Sequence, residues 1–137
     1  MTGRKTVFIS DQDPRSVQET TRLLTARGFE ARGFASGEEA IAAAHAAPPD
    51  LFITSMGLKG EMDGLKFVRA LKADEALTAV PIVLLTGARR VMNLPFAFSP
   101  DPEWFPVADV IEKPARPSYL YEVLDRILGA PGVSGGR

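Results

Sequence analysis

A chain of 137 residues has the length of one domain built around one core. Hydrophobic residues make up 45% and charged residues 24%, the balance of a globular protein rather than a disordered one. The net charge of -1 excludes a general pull toward nucleic acid or an anionic membrane, and the absence of cysteine excludes disulfides and thiolate metal sites. Met1 to Lys5 carries no apolar signal core and no window is long enough to cross a bilayer, so the cytoplasm is the expected location.

Lys5 to Ser10, short and β-branched, reads as the first strand. Asp13-Pro14 opens a helix, with Asp13 as N-cap and Pro14 at the first helical position. Val17, Thr21 and Leu24 form its inward stripe, and Gly28 stops it. Phe29 to Phe34 reads as the second strand, and its polar–apolar alternation places it at a sheet edge. Ser36-Gly37-Glu38-Glu39 has the pattern of a capping box and opens an Ala-rich helix through Ala47. Pro48 and Pro49 end that helix and launch the third strand, Pro49 to Ser55. After a loop from Met56 to Met62, Asp63-Gly64 precedes a helix with Leu65, Val68 and Leu71 on one face. Lys66, Arg69 and Lys72 lie opposite, a basic stripe whose simplest reading is a solvated face.

Ala73 to Thr78 winds down to a fourth strand, Val80 to Leu85, and Val110-Ile111-Glu112 is the fifth. The last helix, Ser118 to Leu128, carries the clearest amphipathic stripe: Leu120, Val123, Leu124, Ile127 and Leu128. Strands alternating with helices predict right-handed crossovers and a doubly wound α/β fold. The expected sheet is five-stranded, parallel and flavodoxin-like, in the order 2-1-3-4-5. The Gly-rich tail from Ala130 to Arg137 reads as disordered, which leaves residues 1–129 as the domain.

The strand ends carry the chemistry. Asp11, Gln12 and Asp13 follow the first strand, Ser55 the third, Thr86 the fourth, and Lys113-Pro114 the fifth. In a parallel sheet these carboxyl ends lie side by side, and ligands sit just outside them. The constellation resembles the receiver domain of bacterial two-component response regulators, over nearly the whole chain. The resemblance implies two adjacent acids after strand one, a phosphate-accepting Asp after strand three, Thr or Ser after strand four and Lys-Pro after strand five. Asp11, Thr86 and Lys113-Pro114 match that pattern. Gln12 stands where the second acid belongs, and Ser55 where the accepting Asp belongs. The family's switch aromatic, three positions before the Lys, is here Val110. A cis Lys113-Pro114 bond is a further implication of the resemblance.

Phosphoryl transfer to a receiver needs an attacking carboxylate, a divalent cation held by acids, and a Lys and a hydroxyl for the remaining oxygens. Lys113 and Thr86 would be the last two. Ser55 is a poor nucleophile without an adjacent base, and the one histidine, His45, falls in the second helix. Ser55 therefore reads as a strand-end residue capping a local turn, since no Gly-x-Ser-x-Gly elbow surrounds it. No metal is expected, although Asp11 and Asp13 with waters leave weak Mg²⁺ binding open. With no Asp at position 55, the Lys113 ammonium is expected to pair with Asp11.

From Gly87 to Pro106 the chain departs from the family pattern. Pro95, Pro100, Pro102 and Pro106 each remove an amide donor, so an irregular, ordered Pro/aromatic loop is expected where the fourth helix would be. Arg89 and Arg90 read as solvated charges or, with Lys113, as an anion pocket. Phe96 and Phe98 read as a lid over the sheet, and Trp104 with Phe105 as the candidate partner surface.

The resemblance thus implies a pseudo-receiver: a phosphorylation-independent interaction module in two-component signalling, not an enzyme, whose partner is a histidine kinase or a downstream effector protein. No nucleic acid or membrane partner is expected, and the chain should be a monomer or weak homodimer. A second reading is a receiver regulated through another phosphosite or a bound anion. A third, a small enzyme on a flavodoxin-like scaffold, lacks a convergent set of catalytic groups.

Overall fold

The computed structural model describes residues 4–87 and 106–129, apart from the side chain of Thr86. Five strands, β1 (Thr6–Ser10), β2 (Glu30–Phe34), β3 (Leu51–Thr54), β4 (Ile82–Thr86) and β5 (Asp109–Glu112), form one sheet in the order β2-β1-β3-β4-β5. Every pairing is parallel. Four helices are present among the described residues: α1 (Pro14–Ala26), α2 (Gly37–Ala46), α3 (Gly64–Ala73) and α4 (Pro117–Leu128). This is the doubly wound, flavodoxin-like order expected from the sequence. The Pro/aromatic connection, with Arg89, Arg90, Phe96, Phe98, Trp104 and Phe105, lies outside the described residues, as does the tail after Gly129.

Alternation along the strands sends side chains to two cores. Phe8, Phe52, Ile82 and Leu84 face α2 and α3 and meet Ala40, Ala44, Phe67, Val68 and Leu71. Val7, Ile9, Leu51, Ile53, Val83 and Ile111 face the other way, toward Leu24 of α1 and Leu120, Val123 and Leu124 of α4. The first core holds an aromatic ladder: Phe52 meets Phe8 and Phe67 edge-on, at ring separations of 6.0 and 5.9 Å.

Local capping sets the helix starts. Asp13 accepts from Arg15 N, Ser36 from Glu39 N and Asp63 from Lys66 N, satisfying amides that have no partner inside the helix. Gly28, at φ 92°, takes the left-handed conformation that turns the chain from α1 into β2.

Several details differ from the sequence reading. On α1 the buried threonine is Thr20, one turn before Leu24, while Thr21 is half-buried. On α3 the deepest aromatic is Phe67, which the stripe of Leu65, Val68 and Leu71 passed over, and Leu65 is half-buried. The basic stripe is broken: Lys66 and Arg69 are exposed, but Lys72 Nζ turns back to donate to Thr78 O and Val80 O at 3.0 and 3.3 Å. Its burial there lowers the Lys72 pKa. The strands β3 and β4 each begin two residues later than expected. Before β3, Asp50 spends its carboxylate on the Thr6 amide at 2.8 Å.

Candidate functional site at the strand ends

Parallel pairing brings Ser10, Thr54 and Phe34 level, so the residues after β1, β2 and β3 emerge at one end of the sheet. The backbone keeps the strands in register past their ends: Ser55 N donates to Ser10 O at 2.9 Å and Asp11 N to Phe34 O at 3.0 Å. The loop after β3 then crosses β1. Gln12 N donates to Gly57 O at 3.0 Å and Lys59 N to Ala35 O at 2.9 Å, and Ser36 and Lys59 form an isolated parallel bridge. Three loops are thereby joined over the mouth of the sheet.

Within that frame Asp11, Asp13, Thr54 and Ser55 each have a hydrogen-bond partner. Asp11, 6% exposed, accepts from Lys113 Nζ through Oδ2 at 2.7 Å and from Asp13 N through Oδ1 at 2.9 Å. Lys113 reaches it from the end of β5, beside the cis Lys113-Pro114 bond. Asp13 is exposed, and its Oδ1 caps α1. Gln12 is exposed, and its amide lies over Gly57, where an added Cβ would stand 3.0 Å from Nε2. Ser55 is buried, and its Oγ accepts from Gly57 N at 3.1 Å, closing a short turn of the kind read from the sequence. Thr54, facing the α2–α3 core, donates to Ser55 O at 3.0 Å.

Gly64 is the other support of this turn. A Cβ there would stand 2.4 Å from Ser55 O and 2.6 Å from Met56 Cα, and Gly64 N donates to Met56 O at 2.9 Å. The start of α3 thus presses directly on the loop after β3. Sequence reading saw Asp63-Gly64 only as a helix start. The close approach depends on the path of residues 55–56, which no local pattern encodes.

The remaining candidates are placed as follows. β4 ends at Thr86, next to Glu112 of β5. Val110 is half-buried and packs on the α2–α3 core. His45 is remote from the strand ends, at the end of α2, where Nε2 meets Asp74 at 2.5 Å. Ser10, which the sequence reading left inside its strand, has a buried hydroxyl with no hydrogen-bond partner among the described residues. It shares the side of Phe8 by strand alternation and so faces the α2–α3 core rather than the mouth.

Among the described residues, no cluster of three or more His, Asp or Glu is spaced to hold a metal ion. No helix among them is long and apolar enough to cross a membrane.

Similar proteins carry the same framework. The family profile for the response regulator receiver domain matches residues 7–125. The chemotaxis response regulator CheY4 of Vibrio cholerae is 26% identical with a TM-score of 0.75, covering 91% of this chain and 99% of that one. The N-terminal domain of a response regulator receiver protein from Methanoculleus marisnigri JR1 is 27% identical with a TM-score of 0.65, covering 90% and 96%. The signal receiver domain of a signal transduction histidine kinase from Syntrophus aciditrophicus is 25% identical with a TM-score of 0.73, covering 90% and 89%. Among curated proteins there is no sequence match. With strand order, cis Lys-Pro bond and profile in agreement over nearly its whole length, the chain belongs to the response regulator receiver domain family of two-component signalling.

Proposed function

We propose that this receiver works as a protein-interaction module without aspartyl phosphorylation. The observation that carries the reading is Ser55: at the end of β3 stands a buried hydroxyl already bound to Gly57 N, with no carboxylate to attack phosphorus. The Lys113–Asp11 pair supports it, since the ammonium that would meet a phosphoryl group holds an acid of the same pocket instead. Lys113 fixes the mouth in one arrangement, and the domain signals through the surface it presents. The second reading, regulation by another phosphosite or by a bound anion, requires Lys113 to leave Asp11 for the new charge.

Magnesium fits the donors poorly. To bind through Asp11 and Asp13 it would compete with Lys113 for one carboxylate and share the other with the α1 cap. The partner is a protein, a histidine kinase or an effector, in the cytoplasm. Its docking surface is β5, α4 and the Pro/aromatic connection with Trp104 and Phe105. Tyr119 at the start of α4 is 39% exposed, the one large apolar side chain so exposed among the described residues.

Acetyl phosphate with excess Mg²⁺, followed by intact mass, tests the central point. The mass should not change. A phosphoryl adduct that maps to the strand ends would overturn the proposal. Retention of a partner by the wild type and its loss by Trp104→Ala would locate the surface.

A further inference from the structure

β2 lies at the edge of the sheet among the described residues. Glu30 N donates to Lys5 O at 2.9 Å, and Asp11 N donates to Phe34 O at 3.0 Å. In a parallel ladder, residues alternate in the direction of their backbone groups, so Glu30, Arg32 and Phe34 turn theirs toward β1. Ala31 and Gly33 therefore aim both N–H and C=O away from the sheet, along an edge that carries no further strand among the described residues. An open groove of about 450 Å³, lined in part by Val17, Gln18, Gly33 and Phe34, runs beside it.

Charge selects the occupant and the register. Glu30 and Arg32 are exposed, and neither makes an ion pair among the described residues. Arg32 is held over the Phe34 and Phe8 rings, its guanidinium carbon 5.2 and 5.4 Å from their centroids. An antiparallel two-fold centred on Ala31 sets Ala31 against its own copy, Glu30 against Arg32, and Gly33 against Phe29, which offers its carbonyl alone because its amide is given to Leu24 O at 3.0 Å. Ala31 then falls in a hydrogen-bonded pair, as its outward groups require, and Glu30 and Arg32 fall in the closer, non-hydrogen-bonded pairs. A two-fold centred on Glu30 or on Arg32 would instead set like charges face to face.

We propose that a second copy of this chain adds antiparallel to β2 through residues 29–33, joining two sheets into one and closing two Glu30–Arg32 pairs. The pairing is independent of any chemistry at Ser55.

Analytical ultracentrifugation of the full chain over a wide concentration range tests it. A reversible dimer should form, and Arg32→Glu should weaken it about tenfold or more, since two attractive cross-strand pairs become repulsive. The charge exchange Glu30→Arg with Arg32→Glu should restore it, which separates pairing from misfolding. Hydrogen exchange at the Ala31 and Gly33 amides should slow as concentration rises. A monomer throughout the range, or a dimer indifferent to Arg32→Glu, would overturn the proposal.

Discussion

The Lys113–Asp11 pair makes an asymmetric prediction about stability. Removing one partner of a dry ion pair costs about 3–5 kcal/mol, whereas an exposed pair is worth about 0–1 kcal/mol. This pair lies between those limits, and unevenly: the Lys113 side chain is 28% exposed and that of Asp11 only 6%. Lys113→Met leaves the Asp11 carboxylate buried, with the Asp13 amide as its donor, and should cost about 2–3 kcal/mol. Asp11→Asn keeps an oxygen for the Asp13 amide, and the ammonium, being part-exposed, retains access to water, so its cost should be about 1 kcal/mol. The double variant should recover about 1 kcal/mol relative to the sum, because no stranded charge remains. Urea unfolding near neutral pH, fitted for midpoint and slope, measures all three. Equal costs for the two single variants, or a coupling below about 0.3 kcal/mol, would refute the claim that burial of Asp11 makes the pair matter.

Three other perturbations follow from the geometry. Ser36→Ala removes the acceptor of the Glu39 amide at the start of α2 and should cost about 1 kcal/mol, against a few tenths for Ser36→Gly, in thermal unfolding. Gly64→Ala drives a methyl group into the backbone at Ser55 and Met56 and should cost about 1–3 kcal/mol; amide chemical-shift changes should centre on residues 54–58, and their absence would show that the turn is not braced by α3. The Asp74 carboxyl is held below its ordinary pKa, first by its hydrogen bond to His45, against a smaller opposing effect of burial. A depressed carboxyl contributes stability above its unfolded value and loses it as pH falls through the folded one. His45→Gln should therefore raise the Asp74 pKa toward the ordinary range in an NMR titration and flatten the acid limb of the stability curve; an unmoved pKa would rule out His45 as the cause.

What the sequence exposed and what it hid divide along physical lines. Caps are local, so Asp13 and Ser36 could be read directly and each engages a helix amide; Asp63, read only as preceding a helix, caps α3 in the same way. The edge position of β2 was legible in the polar–apolar alternation from Phe29 to Phe34, which a strand covered on both faces would not carry. Positions at the strand ends were legible because parallel order fixes where each strand emerges. Phe67 escaped because it adjoins Val68, and a stripe read at helical spacing admits only one of two neighbours without knowing how wide the buried face is. The turn-back of Lys72 to Thr78 and Val80 depends on how the chain leaves α3, and the Arg27–Asp125 contact joins residues 98 apart. Such contacts exist only once the layers have packed.

The same division explains why the pocket reads as it does. Residue type placed Ser55, Asp11 and Lys113 at one end of the sheet, but their roles depend on which groups already have partners. A receptive pocket needs acceptors and donors with spare capacity, because a ligand must replace water and not an existing bond. Here both Asp11 oxygens are engaged, Asp13 Oδ1 is bound to its helix, and the Ser55 hydroxyl closes its own turn. A phosphoryl group seeking the Lys113 ammonium, or a hard cation seeking Asp11 Oδ2, would compete with the ion pair between Asp11 and Lys113. The ion pair ties the loop after β1 to the end of β5, and Gln12 N on Gly57 O ties that same loop to the one after β3. Under the proposed function, the strand ends act in this chain as a clasp, and what the domain conveys is carried by the surface that the clasp holds in place.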